Sequence, residues 1–111
     1  MRFNPGPAIV ASVLLAAWTV GCEVSYDSTC EPWCTVASEC ESGDFAKCMN
    51  DCGRELSNAG YTSEECADAV RTQNRCLAEL SCDALAQWRE KEPVDDYPCR
   101  EADILVRRLC Y

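Results

Sequence analysis

The chain has 111 residues, eleven of them cysteine and none histidine, with 19 acidic against 10 basic side chains and a formal charge of −9. This length allows one small domain, and the acidic balance repels phosphate backbones and anionic lipid, so no nucleic-acid partner is expected. Without histidine the commonest general base and the usual zinc companion of cysteine are missing, and neither a catalytic residue nor a metal or cofactor is expected.

After Met1-Arg2 and "FNPGP", residues 8–20 ("AIVASVLLAAWTV") are thirteen uncharged positions. A helix of that length covers about 20 Å, short of the roughly 30 Å hydrocarbon layer, so the run reads as an export signal rather than a membrane span. It ends in Thr19-Val20-Gly21-Cys22, which resembles a bacterial lipobox apart from Thr19 in place of the usual leucine. That resemblance implies cleavage before Cys22 and a lipid on its thiol, with the bilayer as partner through the acylated cysteine. The alternative is a conventional signal with Cys22 as an ordinary disulfide partner. Parity favours lipidation, because eleven cysteines are odd and removing Cys22 leaves ten. The expected organisation is a signal over 1–21, a lipidated cysteine and polar tether over 22–29, and a folded domain over 30–111. Glu23, rather than aspartate, follows the cysteine, which favours the outer membrane over inner-membrane retention.

From residue 23 onward only 13 aliphatic (Val, Leu, Ile, Met) and 7 aromatic side chains are present. A core this thin needs staples, and ten cysteines in so short a chain indicate a disulfide scaffold in an oxidising compartment. The C-x3-C spacings suit neither zinc nor the C-x-x-C of thiol exchange.

In chain order, a first helix is expected over about 30–41, capped by Ser28 or Thr29, with Pro32 tolerated in its first turn. Ser42-Gly43-Asp44 ends it, with Gly43 suited to a left-handed exit and Asp44 to the next cap. The second helix is expected over about 45–57, stopping at "SNAGY". Thr62 with Glu65 reads as a capping box for the third and longest helix, from 63. Cys66, Ala69, Val70, Gln73, Leu77 and Leu80 give that helix one apolar stripe. A shorter segment, "ALAQWREK", starts from Ser81 or Asp83. After the Pro93–Pro98 loop a last helix is expected over 99–110, with Pro98 in its first turn and Cys99, Ala102, Val106 and Leu109 on one face. The expected fold is all-α: a small disulfide-rich bundle of about four helices.

Cysteines four apart share a helix side, as Cys30/Cys34 and Cys48/Cys52 do. Folding that stretch about 41–44 pairs Cys34 with Cys48 and Cys30 with Cys52. Antiparallel packing of the third and last helices matches Cys76 with Cys99 and Cys66 with Cys110, leaving Cys40 for Cys82. Ten cysteines admit roughly 945 pairings, so connectivity beyond the hairpin stays open at the level of sequence.

The twin C-x3-C hairpin over 30–52 resembles the small translocase chaperones of the mitochondrial intermembrane space, read as convergence. Across nearly the whole chain, the spacing C-x3-C-x5-C-x7-C-x3-C, Cys66, "CLAELSC" at 76–82 and the final cysteine-bounded helix resemble small Cys-rich lipoproteins of deltaproteobacterial type. That resemblance implies class and location but no catalytic residue. Asp95-Asp96 with Glu92 and Glu101 could gather calcium, but a solvated turn is the plainer reading. Trp33 and Trp88 are read as core fillers before surface anchors for a partner or glycan, and Arg71, Arg75 and Arg89 as partners of nearby glutamates at helical spacing. The leading expectation is a non-enzymatic lipoprotein presenting a rigid helical domain to an envelope protein or glycan. The alternatives are an inhibitor or competition factor acting through the loop 89–98, and, least favoured, an enzyme built on carboxylates.

Overall fold

A computed structural model describes residues 27–111. Within them the chain forms five helices and no strand: α1 (Cys30–Glu41), α2 (Phe45–Thr62), α3 (Glu64–Leu77), α4 (Cys82–Glu90) and α5 (Arg100–Cys110). Cys22, the lipobox and the signal run lie outside the described residues.

The helix ends show which local interactions prevail. Asp27, rather than Ser28 or Thr29, organises the entry to α1: its Oδ1 accepts from the Thr29 amide at 2.9 Å and the Thr29 hydroxyl at 2.6 Å. Asp27 thus takes part in the fold three residues before the expected boundary at 30. The left-handed step after α1 falls on Ser42 (φ 54°) and not on Gly43. Asp44 caps α2 by accepting from the Lys47 amide at 3.1 Å.

α2 does not stop at "SNAGY" but runs on to Thr62. Asn58 and Gly60 lie on its exposed side while Leu56 and Ala59 are buried, so packing outweighs the cost of about 1 kcal/mol for a helical glycine. The cap of α3 is accordingly Ser63, whose hydroxyl accepts from the Cys66 amide at 3.0 Å, and not Thr62. Ser81 caps α4 through the Ala84 amide at 3.1 Å. Pro98 precedes α5 rather than entering it, because Cys99 takes a left-handed conformation (φ 62°) at the helix start.

α3 is the central element. It packs against α2 and α5 on separate flanks and also touches α1, while α4 leans on α1. The main core cluster comprises Cys30, Cys34, Cys52, Leu56, Ala59, Cys66, Ala67 and Val70, with Trp33, Cys48, Met49, Val106 and Cys110 packed against it. Half of its fully buried members are cystine sulfur, which is how a chain poor in large aliphatics fills an interior. The α3 stripe buries Cys66, Ala69, Val70 and Leu77 as expected, but Asn74 joins it and Leu80 lies beyond the helix end. On α5, Leu109 is exposed and Asp103 takes a buried place beside Ala102.

Five cysteine pairs lie at bonding distance: Cys30–Cys52, Cys34–Cys48, Cys40–Cys82, Cys66–Cys110 and Cys76–Cys99. These are the five pairs that helix geometry selects. They tie α1 to α2 twice and to α4 once, and α3 to α5 twice. Among the described residues no disulfide crosses from the α1–α2–α4 group to the α3–α5 group. The seam between the groups is noncovalent, and buried polar side chains mark it. Asn74 of α3 donates to the Thr29 hydroxyl at 3.1 Å and contacts Cys52 sulfur at 3.4 Å, while Arg71 donates to Asp27 at 2.8 Å. Burial by itself would raise the Asp27 pKa, but the bonds from Arg71 and Thr29 outweigh it and hold it at about 2.

Candidate functional site

The second crossing of the seam is Asp103, near the start of α5 and 7 % exposed. Its Oδ1 accepts from Gln73 Nε2 at 2.6 Å and Trp88 Nε1 at 3.0 Å. Its Oδ2 accepts from the Tyr97 hydroxyl at 2.8 Å and from Lys91 Nζ at 3.2 Å. Burial alone would raise the pKa of this carboxyl, but the bonds from Trp88, Gln73, Tyr97 and Lys91 outweigh it and hold the pKa below the ordinary value. Asp103 is therefore an ionised anchor with its acceptor capacity already filled, which suits positioning and not proton transfer.

The groups around it are locked in turn. Lys91 ends α4 in a left-handed conformation (φ 58°), with its own amide bonding Trp88 O and the next amide bonding Gln87 O, a terminus usually given to glycine. The lysine repays that strain: its ammonium sits 4.0 Å from the Trp88 ring centre and 5.3 Å from that of Tyr97, and donates to Trp88 O at 2.9 Å. Trp88 meets Trp33 edge-on at 6.0 Å. Arg89 lies over both indoles and grips Glu41 of α1 through two bonds of 2.8 and 2.7 Å, which hold the Glu41 carboxyl below its ordinary pKa. The Tyr97 phenol is pushed up by burial and by the adjacent Asp103, while Arg107 and Arg100 pull it down.

Beside this network opens a cleft of about 560 Å³, with Trp88, Tyr97, Val94, Val106, Arg100 and Arg107 among its walls. A second cleft, between α2, α3 and the end of α5, shares Glu55, Val106 and Tyr111 with it. Glu55 has no ionic partner among the described residues, and desolvation raises its pKa although the residue as a whole is exposed.

The sequence singled out some of these residues and missed others. Trp33 and Trp88 are half-buried and packed together, as the core reading expects. Arg71 does pair at helical spacing, but with Asp68; Arg89 reaches across to α1, and Arg75 has no ion pair among the described residues. Asp95, Asp96 and Glu101 border a different shallow cleft and Glu92 stands apart from them; among the described residues no group of three or more acidic or cysteine side chains is arranged to hold a metal. The loop 89–98 is less open than expected, being pinned by Lys91 and Tyr97 with only 92–96 exposed between them. Asp103, Lys91, Tyr97, Arg100 and Arg107 were not foreseen, and Gln73 was placed only on the apolar stripe of α3. The available signal was Asp103 itself, an acid four residues from Cys99 and three from Val106 on the face otherwise read as apolar.

The fold and site together define a disulfide-braced all-α domain. No protein-family model, curated protein or solved structure matches the chain.

Proposed function

We propose that this chain is a non-enzymatic Cys-rich lipoprotein, anchored in the outer membrane through lipid on Cys22, which holds a rigid helical domain at the cell envelope for recognition. The observation that carries this reading is the complete use of ten cysteines in five internal bridges, which leaves Cys22 without a partner in the fold. A lone thiol at the end of a lipobox-like sequence has acylation as its natural fate, and two or three acyl chains hold firmly where one does not. Among the described residues no helix is long and apolar enough to cross a membrane. Recognition rather than catalysis is supported by the saturated Asp103 and by a chain without histidine.

Intact mass before and after reduction tests both parts at once. The expected result is a chain beginning at Cys22, heavier by a diacylglycerol-type lipid, that gains ten hydrogens on reduction. Cys22→Ala should leave the membrane fraction or retain its signal. A wild-type protein free of lipid, or a variant that stays in the membrane fraction with its signal removed, overturns the anchor.

A further inference from the structure

In a chain with nine more acids than bases, a cation without an ion pair is conspicuous. Among the described residues Lys47, Arg54, Arg71, Arg89 and Lys91 each hold a carboxylate. Arg75, Arg100, Arg107 and Arg108 hold none, and three of these four are on α5. Arg100 and Arg107 are seven apart, hence on one helix face, and both line the 560 Å³ cleft. Both also influence the Tyr97 phenol, whose oxygen sits at the base of the same cleft against Asp103. Two carboxylates border the cleft: the oxygens of Asp103 are occupied by four donors, and Glu55 makes no ion pair with either arginine among the described residues.

We propose that this cleft is an oxyanion site in which Arg100 and Arg107 grip the carboxylate or phosphate of a small ring-sized ligand, typically a sugar acid or sugar phosphate. Guanidinium forks match both groups bidentately. The walls supply the rest: Trp88, Tyr97 and Tyr111 offer aromatic surface, Val94 and Val106 apolar contact, and Gln73 an amide. A cleft of about this size, in which aromatic and apolar walls face convergent charged groups, falls within the range of small-ligand sites. The Lys91–Asp103 pair makes the site rigid before binding, so little side-chain ordering remains to be done at the floor. The surrounding acidic surface would repel a polyanion, which restricts the ligand to one carrying a single compact charge.

This inference deepens the recognition reading and rests on it. The test is titration of the purified, oxidised full-length chain with glucuronate, glucose 6-phosphate, inorganic phosphate and neutral glucose. The readout is 15N–1H spectra of the Arg100 and Arg107 Nε–H groups and the Trp88 indole N–H. The expected result is a saturable shift with at least one anionic sugar and none with glucose. R100Q/R107Q should weaken binding about tenfold or more, while R75Q/R108Q, with the same charge change away from the cleft, should alter it by less than about twofold. R107Q alone changes an exposed position and should show a smaller loss in the same direction. Saturation by only the carboxylate or only the phosphate sugar supports the site and identifies its source. Shifts that never saturate, an equal response to glucose, or an equal loss in both double variants overturn it. Lipid mass and bridge count are unaffected by any of these outcomes, so the two readings fail separately.

Discussion

Asp103→Ala removes the acceptor that links α5 to Trp88 of α4 across a seam no disulfide crosses, and to Gln73 of α3 on its own side of it. Two of its donors belong to side chains with little access to water: Tyr97 is 6 % exposed and Trp88 half-buried. Leaving such donors unmet costs about 1–3 kcal/mol each, and breaking a buried charged pair about 3–5 kcal/mol in all. Lys91 is 44 % exposed and recovers water, which places the expected loss near the lower figure, about 3 kcal/mol. At about 0.05–0.15 kcal/mol per residue, a domain of this size has roughly 4–13 kcal/mol to lose. Guanidinium unfolding with the bridges intact, followed by near-UV circular dichroism of the tryptophans, measures the difference. The pH dependence supplies an independent sign. The folded-state pKa of Asp103 is depressed, so its contribution is fully present above the unfolded carboxyl value near 4 and is lost as pH falls through the folded value. The wild-type advantage over the variant should therefore shrink below about pH 4, whereas the Asp27 contribution, lost toward about pH 2, is common to both proteins and cancels. A loss under about 1 kcal/mol, or a difference that does not narrow in acid, refutes the seam argument.

Two further outcomes are expected. The bridges close loops of 14 to 44 residues, each contributing about 3–4 kcal/mol in the chain-entropy model and less when nested, so full reduction at 37 °C with a chelator present should abolish most far-UV helix signal, and a reduced chain that melts cooperatively would contradict this. Ser63→Ala should cost about 1 kcal/mol and lower Tm by roughly 4–8 °C, while Thr62→Ala stays within about 0.5 kcal/mol; the reverse order would return the α3 cap to Thr62.

The parts of the fold legible in sequence are those set by local chemistry. Asp44 and Ser81 are found as caps because a short polar side chain before an apolar-periodic run has one strong use. The i, i+4 cysteines define a hairpin because a helix leaves them no other shared side. What was misread depends on tertiary context. Gly60 looks like a stop only if Leu56 and Ala59 have nothing to pack on. Gly43 looks like the left-handed exit, yet the step falls on Ser42. Lys91 occupies a glycine-type terminus because its ammonium finds Asp103, an acid brought to it from another element. The cleft was invisible for the same reason: Arg100 and Arg107 become notable only once Asp103 is seen to be engaged by other donors.

The order of the bridges along the chain has one more consequence. The spans closed by Cys30–Cys52, Cys40–Cys82 and Cys66–Cys110 overlap end to end, so every peptide bond from residue 30 to residue 110 lies inside at least one closed ring. A single proteolytic nick anywhere in that range opens a ring but sheds no fragment. If the domain is tethered through Cys22, a protease outside the cell could detach it with one cut only between that cysteine and Cys30. Part of that stretch is further shielded, because Asp27 and Thr29 are bound to α3 by Arg71 and Asn74.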